Sequence, residues 1–418
     1  MVLMSYFPEL RMMPILAVAR SACWQSIRRC ITPLALVASC ISNAEASPFI
    51  PSRGDEVLER VPIRTSPEQR ELERARAAVA ASPGSPEASI RLAKRYIETW
   101  RNDGDPRYLG YAQAALAPWW SRKDPPAEAR VLRATLSQST HRFPEALADL
   151  DAVLAQDARN AQAWLTKATV LQVLGDYPQA ESSCRRLVGL APNLVVITCL
   201  SAVRSLNGQA EAGYRQLDSA LKTAGSDIDP SIRTWSLTLL AEMAARQGDD
   251  AAARRHFEKA IALGKPDNYL LAAYSDFLLD AKEAKKVVSL LENRTQADAL
   301  LLRYAIALQA LASAEASRYT ALLAERLEAV RMRGDSIHRR EQARFALELH
   351  HDPVAALDHA RQNWEVQKEP ADARLLLEAA VAANDRAAAR PVIEWIRRVG
   401  LEDRALAPLV AKLEGSVK

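Results

Sequence analysis

The densest group of residues that could do chemistry lies near the C-terminus. His350-His351-Asp352 is followed closely by Asp358 and His359. Imidazole and carboxylate groups together suit several divalent metal ions. The same residues straddle a predicted helix–turn–helix corner, where polar side chains cap helix ends. Capping is the interpretation we adopt, and we predict neither a metal ligand nor a cofactor.

Signatures of catalysis are absent from the sequence. It contains no glycine-rich phosphate loop, no Gly-x-Ser-x-Gly, no His-Glu-x-x-His and no Cys-x-x-Cys. The net charge is +4, with basic and acidic residues interspersed, whereas a nucleic-acid binder usually carries a concentrated basic stripe. We therefore predict a protein that is not an enzyme and does not bind nucleic acid.

The elements that must position any site are predicted to be helices. The 418 residues are rich in Ala, Leu, Arg and Glu, and aromatic residues make up only 6%. No run of alternating Val, Ile or Thr bounded by turn dipeptides indicates a strand. This composition predicts an all-α fold.

A 34-residue repeat organises the middle of the chain. Residues 127–160, shifted by 34, align with residues 161–194 without a gap. Each unit holds two helices, separated by a turn at His141-Arg142 in the first and at Gly175-Asp176 in the second. The identical pairs are Ala129/Ala163, Ala134/Ala168, Thr135/Thr169, Gln138/Gln172, Pro144/Pro178 and Ala146/Ala180.

This repeat resembles the tetratricopeptide (TPR) family at its defining positions. The matching residues are Trp164, Ala168, Gly175, Ala180 and Pro192. Alanine lets crossing helices approach closely, glycine adopts the left-handed conformation at a helix end, and proline stops the second helix. The resemblance extends from about residue 68 to 414 and implies a right-handed α-solenoid of helix–turn–helix repeats.

Within the TPR proteins, residues 105–120 resemble an exported bacterial subgroup without an established activity. The resemblance thus implies a fold and a compartment but no reaction. TPR solenoids bind partners in a concave groove lined by their first helices. By the family's pattern, the candidate groove residues here are Glu128, Thr135, Gln138, Gln162, Thr169, Gln172, Trp235 and Glu242. They either bind an extended peptide or form ordinary solvated surface.

Two cysteines of the repeat region form a second candidate feature. Cys184 takes the position of Leu150 in the preceding unit and should face the packed interior, and Cys199 lies on the next helix. A disulfide between them would add about 3 kcal/mol of stability in the chain-entropy model. Two separate buried thiols are the alternative, and the sequence leaves both open.

An export signal is predicted at the N-terminus. Arg28 and Arg29 precede the apolar residues 30–41, and Ala44-Glu45-Ala46 follows as a cleavage site, which gives the three parts of a secretory signal peptide. Cys40 in Val37-Ala38-Ser39-Cys40 is an alternative, as the lipidated residue of a lipoprotein. We expect a periplasmic protein, with membrane contact only if Cys40 is lipidated.

These patterns predict the organisation and role of the whole chain. The function we predict is an exported TPR scaffold whose partner is an envelope protein or peptide. Alternatives are an envelope enzyme with an unrecognised signature, or a metal or small-ligand carrier. The predicted segments are a signal peptide (1–46), an extended segment (47–67), degenerate repeats (68–126), the clearest repeats (127–267), and degenerate repeats with capping helices (268–418).

Overall fold

The computed structural model describes residues 66–332 and 338–415. Residues 71–415 fall in one compact unit, and residues 66–70 fall in another. The predicted signal peptide, with its cleavage site and Cys40, lies outside the described residues. None of the helices in the described part is both long and apolar enough to cross a membrane.

The described residues form twenty-one α-helices and no strand. Most of them pair as antiparallel hairpins. The first helices of the pairs are α2 (Pro86–Asp103), α5 (Ala127–Ser139), α7 (Ala161–Val173), α9 (Asn193–Ser205), α11 (Pro230–Gln247), α13 (Asn268–Asp280), α15 (Asp298–Ala310), α17 (Arg339–Glu348) and α19 (Pro370–Ala382).

Each of these first helices is followed by the second helix of its pair. The second helices are α3 (Arg107–Ala115) with its short continuation α4 (Ala117–Trp120), α6 (Phe143–Gln156), α8 (Tyr177–Arg185), α10 (Ala210–Thr223), α12 (Asp250–Ala262), α14 (Ala284–Leu291), α16 (Ala316–Met332), α18 (Pro353–Val366) and α20 (Arg386–Val399). Helix α1 (Pro67–Ala81) precedes the array and α21 (Leu406–Glu414) follows it.

Turn chemistry sets where the two helices of a repeat separate. Gly175 has φ +76°, the left-handed conformation that glycine adopts without a steric penalty. Its counterpart His141 has φ +56° in the same conformation, which costs a residue with a Cβ about 1–2 kcal/mol. Asp176 then caps α8, where its side chain accepts a hydrogen bond from the backbone N–H of Gln179.

Small residues sit where the helices cross. Ala134 and Ala168 of the first helices are buried, as are Ala146 and Ala180 of the second helices. Four buried methyl groups at equivalent places allow α5 to pack against α6 and α7 against α8 in the same way. The predicted all-α fold of repeated helical hairpins is confirmed.

A disulfide joins Cys184 of α8 to Cys199 of α9. The two helices are neighbours in the array, and the Cα atoms of the cysteines lie 5.6 Å apart. The sequence left this bond open against two separate thiols, because the helix crossing that brings the sulfur atoms together is not visible in a linear pattern.

The C-terminal helices also pack against hairpin turns that lie much earlier in the chain. The amide of Lys368 donates to the carbonyl of Val173 at 2.8 Å, and the amide of Arg404 donates to the carbonyl of Arg246 at 2.9 Å. In a repeat array each repeat packs mainly against its nearest neighbours. These hydrogen bonds, in contrast, join residues that are far apart along the chain. They bring the start of α19 close to the turn between α7 and α8.

Candidate functional site

Three of the predicted groove residues are packed inside the protein. Thr135, Thr169 and Trp235 are 7%, 2% and 1% exposed. The hydroxyl of Thr135 donates to the carbonyl of Val131, and that of Thr169 donates to the carbonyl of Leu165. Each hydroxyl therefore has a hydrogen-bond acceptor within its own helix. These three residues do not line an open groove, because their side chains are buried, and Trp235 belongs to the hydrophobic core.

Four other predicted groove residues differ in their exposure. Glu128 is exposed and forms an ion pair with Lys94 of α2, whereas Gln162 and Gln172 are half-buried. Gln162 donates to the hydroxyl of Thr166 at 3.2 Å. Gln138, however, is only 2% exposed, and among the described residues nothing hydrogen-bonds to its Oε1.

Glu242 leads to a site that the sequence did not assemble. Its carboxylate on α11 accepts a hydrogen bond from the hydroxyl of Tyr269 on α13. Burial raises the pKa of Glu242, and Arg246 and the Tyr269 hydroxyl oppose that rise without cancelling it. Burial also raises the pKa of Tyr269, and the negative charge of Glu242 raises it further.

A pair of carboxylates lies at the N-terminus of α19. Arg340 of α17 bridges them: its guanidinium forms an ion pair with Glu369, and its Nε lies 2.6 Å from Oδ1 of Asp372. The Asp372 side chain is fully buried and also accepts a hydrogen bond from Asn363 at 2.6 Å. Glu369 and Asp372 together form the capping box of α19.

Electrostatic effects extend between these groups. Burial is the main cause that raises the pKa of Glu242, of Tyr269 and of the Tyr177 hydroxyl of α8. The negative charge of Glu369 contributes to the rise in each of the three. We call the whole group the inner acidic cluster. Its members are Tyr177, Glu242, Arg246, Tyr269, Arg340, Glu341, Glu369 and Asp372, which come from α8, α11, α13, α17, α19 and the residue preceding α19.

A neighbouring charge network is balanced. Asp276 of α13 lies 2.5 Å from Arg303 of α15 and 2.5 Å from Arg344 of α17, and Arg344 also pairs with Glu348. Burial alone would raise the pKa of Asp276, but the two arginines lower it to about 2. Two carboxylates and two guanidiniums satisfy one another here, so this network joins three successive first helices and has no need of a ligand.

The histidine cluster near the C-terminus is dispersed in the structure. Asp352 caps α18 by accepting from the amide of Ala355 at 3.0 Å, as the capping interpretation expects. His351 lies 3.1 Å from Gln309, whereas Nδ1 of His359 lies 3.3 Å from Arg339. Within the described ranges, no group of three or more potential ligands is arranged to hold a metal ion.

Little in the sequence indicates which residues build the inner acidic cluster. Tyr177 follows the repeat as the equivalent of Phe143, which indicates a core residue rather than a functional one. Arg340, Glu369 and Asp372 lie where the repeat pattern is too weak to assign helix positions. Of the cluster residues, only Glu242 was a predicted groove residue. It was selected solely from its position on a first helix.

Comparisons with known proteins concern the fold. No family model matches this chain, and no curated protein sequence matches it. Solved structures that are similar include the APC/C hetero-tetramer Cut9-Hcn1, at 16% identity and a TM-score of 0.40. That match covers 74% of this chain and only 52% of the Cut9-Hcn1 chain, so this chain spans about half the length of that one.

Two further similar structures are a tetratricopeptide repeat protein from Parabacteroides merdae and yeast Tom70. The first is 16% identical over 60% of this chain and 89% of that one, with a TM-score of 0.39. The second is 10% identical over 84% and 85% of the two chains, with a TM-score of 0.38. These distant likenesses add nothing about a partner, and the helical hairpins themselves define the class as an all-α array of repeated helix–turn–helix units.

Proposed function

We propose that this protein is an exported interaction scaffold that binds a peptide or protein partner along the inner face of its helical array. The observation that carries the proposal is that some buried polar groups, such as the Gln138 carbonyl and the Tyr177 hydroxyl, have no partner among the described residues. A buried polar group without a hydrogen bond costs about 1–3 kcal/mol. A bound peptide would supply those hydrogen bonds, and helical repeat arrays commonly present such surfaces.

Export is supported by two independent features. The predicted signal peptide ends at Ala46, and Cys184 and Cys199 form a disulfide further along the chain. Disulfides form and persist in oxidising compartments such as the bacterial periplasm. The partner would accordingly be an envelope protein or a peptide that passes through the envelope.

Photo-crosslinking tests the scaffold role. A photoreactive amino acid in place of the half-buried Gln172, on the first helix α7, is expected to crosslink a discrete second protein in living cells. The same amino acid in place of the exposed Arg215, on the second helix α10, is the matched control and should give no such product. Electrophoresis and mass spectrometry detect the product. Equal crosslinking at both positions, or none at 172, would contradict binding along the inner face.

Mass analysis of the native protein tests export. The expected N-terminus is Ser47, or Cys40 carrying a lipid, and alkylation without reductant should leave Cys184 and Cys199 unlabelled. Fractionation should place the protein with the periplasm or the envelope. An intact N-terminus on a cytoplasmic protein with two alkylated cysteines would reject this part of the proposal.

A further inference from the structure

An apolar groove is open between α20 and α21. Its volume is about 430 Å³. Helix α20, the segment that follows it and α21 all contribute to the apolar lining, which comprises Ile396, Leu401, Leu406, Ala407, Val410 and Ala411. Removing such a surface from water is favourable, and an exposed apolar surface of this kind often marks an interaction site.

The side of α21 that is turned away from the core is also apolar. A surface helix usually carries polar and charged residues on that side. Helix α21 packs against α19 and α20, and its nine residues include only two charged ones, Lys412 and Glu414. Glu414 is paired with Arg397 at 2.6 Å, and Ala407 and Pro408 are exposed. The exposed side of α21 therefore forms a largely apolar ridge.

The shape of this surface favours a second copy of the same chain as the occupant of the groove. Helix α21 is one wall of the groove, so the ridge and the groove lie side by side. Two copies related by a twofold axis can then place the ridge of each in the groove of the other. This is an isologous contact, in which both copies use the same surface.

Two charged residues have the positions that such a contact requires. Glu402 lines the groove just before α21, and Lys412 lies near the other end of α21, about 100° around the helix from the groove-lining Ala411 and away from the groove. Both are exposed, and neither forms an ion pair within the described ranges. The other acidic group at this end of the groove, Asp403, accepts a hydrogen bond from the amide of Ala405 at 2.8 Å.

The direction of the helices decides which charges meet. Two α21 helices that a twofold axis relates across their long sides run antiparallel. The C-terminal end of one then lies beside the N-terminal end of the other, which brings Lys412 of each copy towards Glu402 of the other copy. The same opposite-charge contact occurs twice, so the charges of this surface are complementary to themselves.

We propose that this protein self-associates through α21, with the ridge of each copy packed in the groove of the other and with two ion pairs between Glu402 and Lys412. The contact removes the apolar lining of both grooves from water. It needs none of the inner-face residues, so it goes beyond the proposed scaffold function. A dimer presents two inner faces together, which strengthens binding to a partner that offers more than one binding segment.

Sedimentation equilibrium of the purified protein measures the self-association. We expect a monomer–dimer equilibrium for the wild type and dimerisation at least about tenfold weaker for Ala407→Glu, because its carboxylate would have to enter an apolar groove. Ala321→Glu, at an exposed position of α16, is the matched control and should dimerise as the wild type does. Circular dichroism melting establishes that both variants fold.

Charge reversal tests the two ion pairs. Lys412→Glu places two carboxylates in each contact and should weaken dimerisation about tenfold or more. Adding Glu402→Lys to Lys412→Glu reverses both charges, recreates the opposite-charge contacts and should restore most of the wild-type affinity. Such a rescue points to a contact between copies, since these two residues form no ion pair within one described chain.

Three results would overturn the proposal. A wild-type protein that stays monomeric at its highest soluble concentration would leave the groove to a different partner. Unchanged dimerisation in Ala407→Glu would place the contact between copies elsewhere, and a double variant as weak as Lys412→Glu alone would reject the antiparallel packing of α21. The crosslink expected at position 172 is measured separately, so the scaffold function can stand or fail independently of self-association.

Discussion

Replacement of Arg340 by methionine is expected to lower the free energy of unfolding by about 3–5 kcal/mol. Arg340 is the ion-pair partner of both Glu369 and Asp372, and the Asp372 side chain is fully buried. Methionine fills similar space without a charge, so the fully buried Asp372 loses its counter-ion. Breaking one partner of a buried ion pair is costly because the remaining charge has no solvent to stabilise it.

Urea unfolding followed by circular dichroism measures this loss. Arg215→Met is the control, because Arg215 forms an exposed pair with Glu211 and its loss should change stability by no more than about 0.5 kcal/mol. Adding Asp372→Asn to Arg340→Met should recover part of the loss, since one uncompensated charge is removed. A loss below about 1 kcal/mol in the single variant would mean that the carboxylates are not buried as described.

The second large effect is expected for Trp395→Ala, with a loss of about 3–5 kcal/mol in the free energy of unfolding. Trp395 of α20 is 2% exposed, and its ring lies edge-on to Trp364 with 5.1 Å between the ring centroids. It also packs near Tyr177, at 6.2 Å, and against the turn at Gly175. Truncation would leave a cavity between the C-terminal helices and the α7–α8 hairpin.

Hydrogen exchange distinguishes this cavity from a general loss of stability. The amide of Lys368 is bonded to the carbonyl of Val173 across the same contact, so it should exchange faster in Trp395→Ala than amides within α11 do. Val354→Ala is the matched control, because Val354 is 73% exposed and its truncation should change stability by no more than about 0.5 kcal/mol. Unchanged protection at Lys368 would show that Trp395 does not hold the two regions together.

The sequence predicted the parts of the candidate site unevenly. Glu242 was identified as a groove residue from its position on a first helix, and it does join the inner acidic cluster. Thr135 and Thr169 were selected by the same rule, yet both residues are buried. Their hydroxyls donate hydrogen bonds to carbonyl groups of their own helices. Helix position gives the direction of a side chain, but it does not tell what later part of the chain covers it.

The separation in the chain explains why the rest of the cluster was missed. Tyr177 precedes Glu369 by nearly two hundred residues, and no periodic pattern links residues so far apart. Their approach depends on contacts such as the bond between Lys368 and Val173, at the turn of an early hairpin. Arg340 and Asp372 lie in the C-terminal repeats, whose pattern is too degenerate to indicate which side chains face inward.

The sequence by itself determined the local architecture. The 34-residue offset, Ala134 and Ala168 at the crossings, and Gly175 at the turn together specify a chain of helical hairpins, because each acts only on its own repeat and the next. The tertiary structure alone decided that Cys184 bonds to Cys199 and that Arg340 forms ion pairs with both Glu369 and Asp372. Small rotations between successive hairpins add up along the array, and only their sum brings distant repeats into contact.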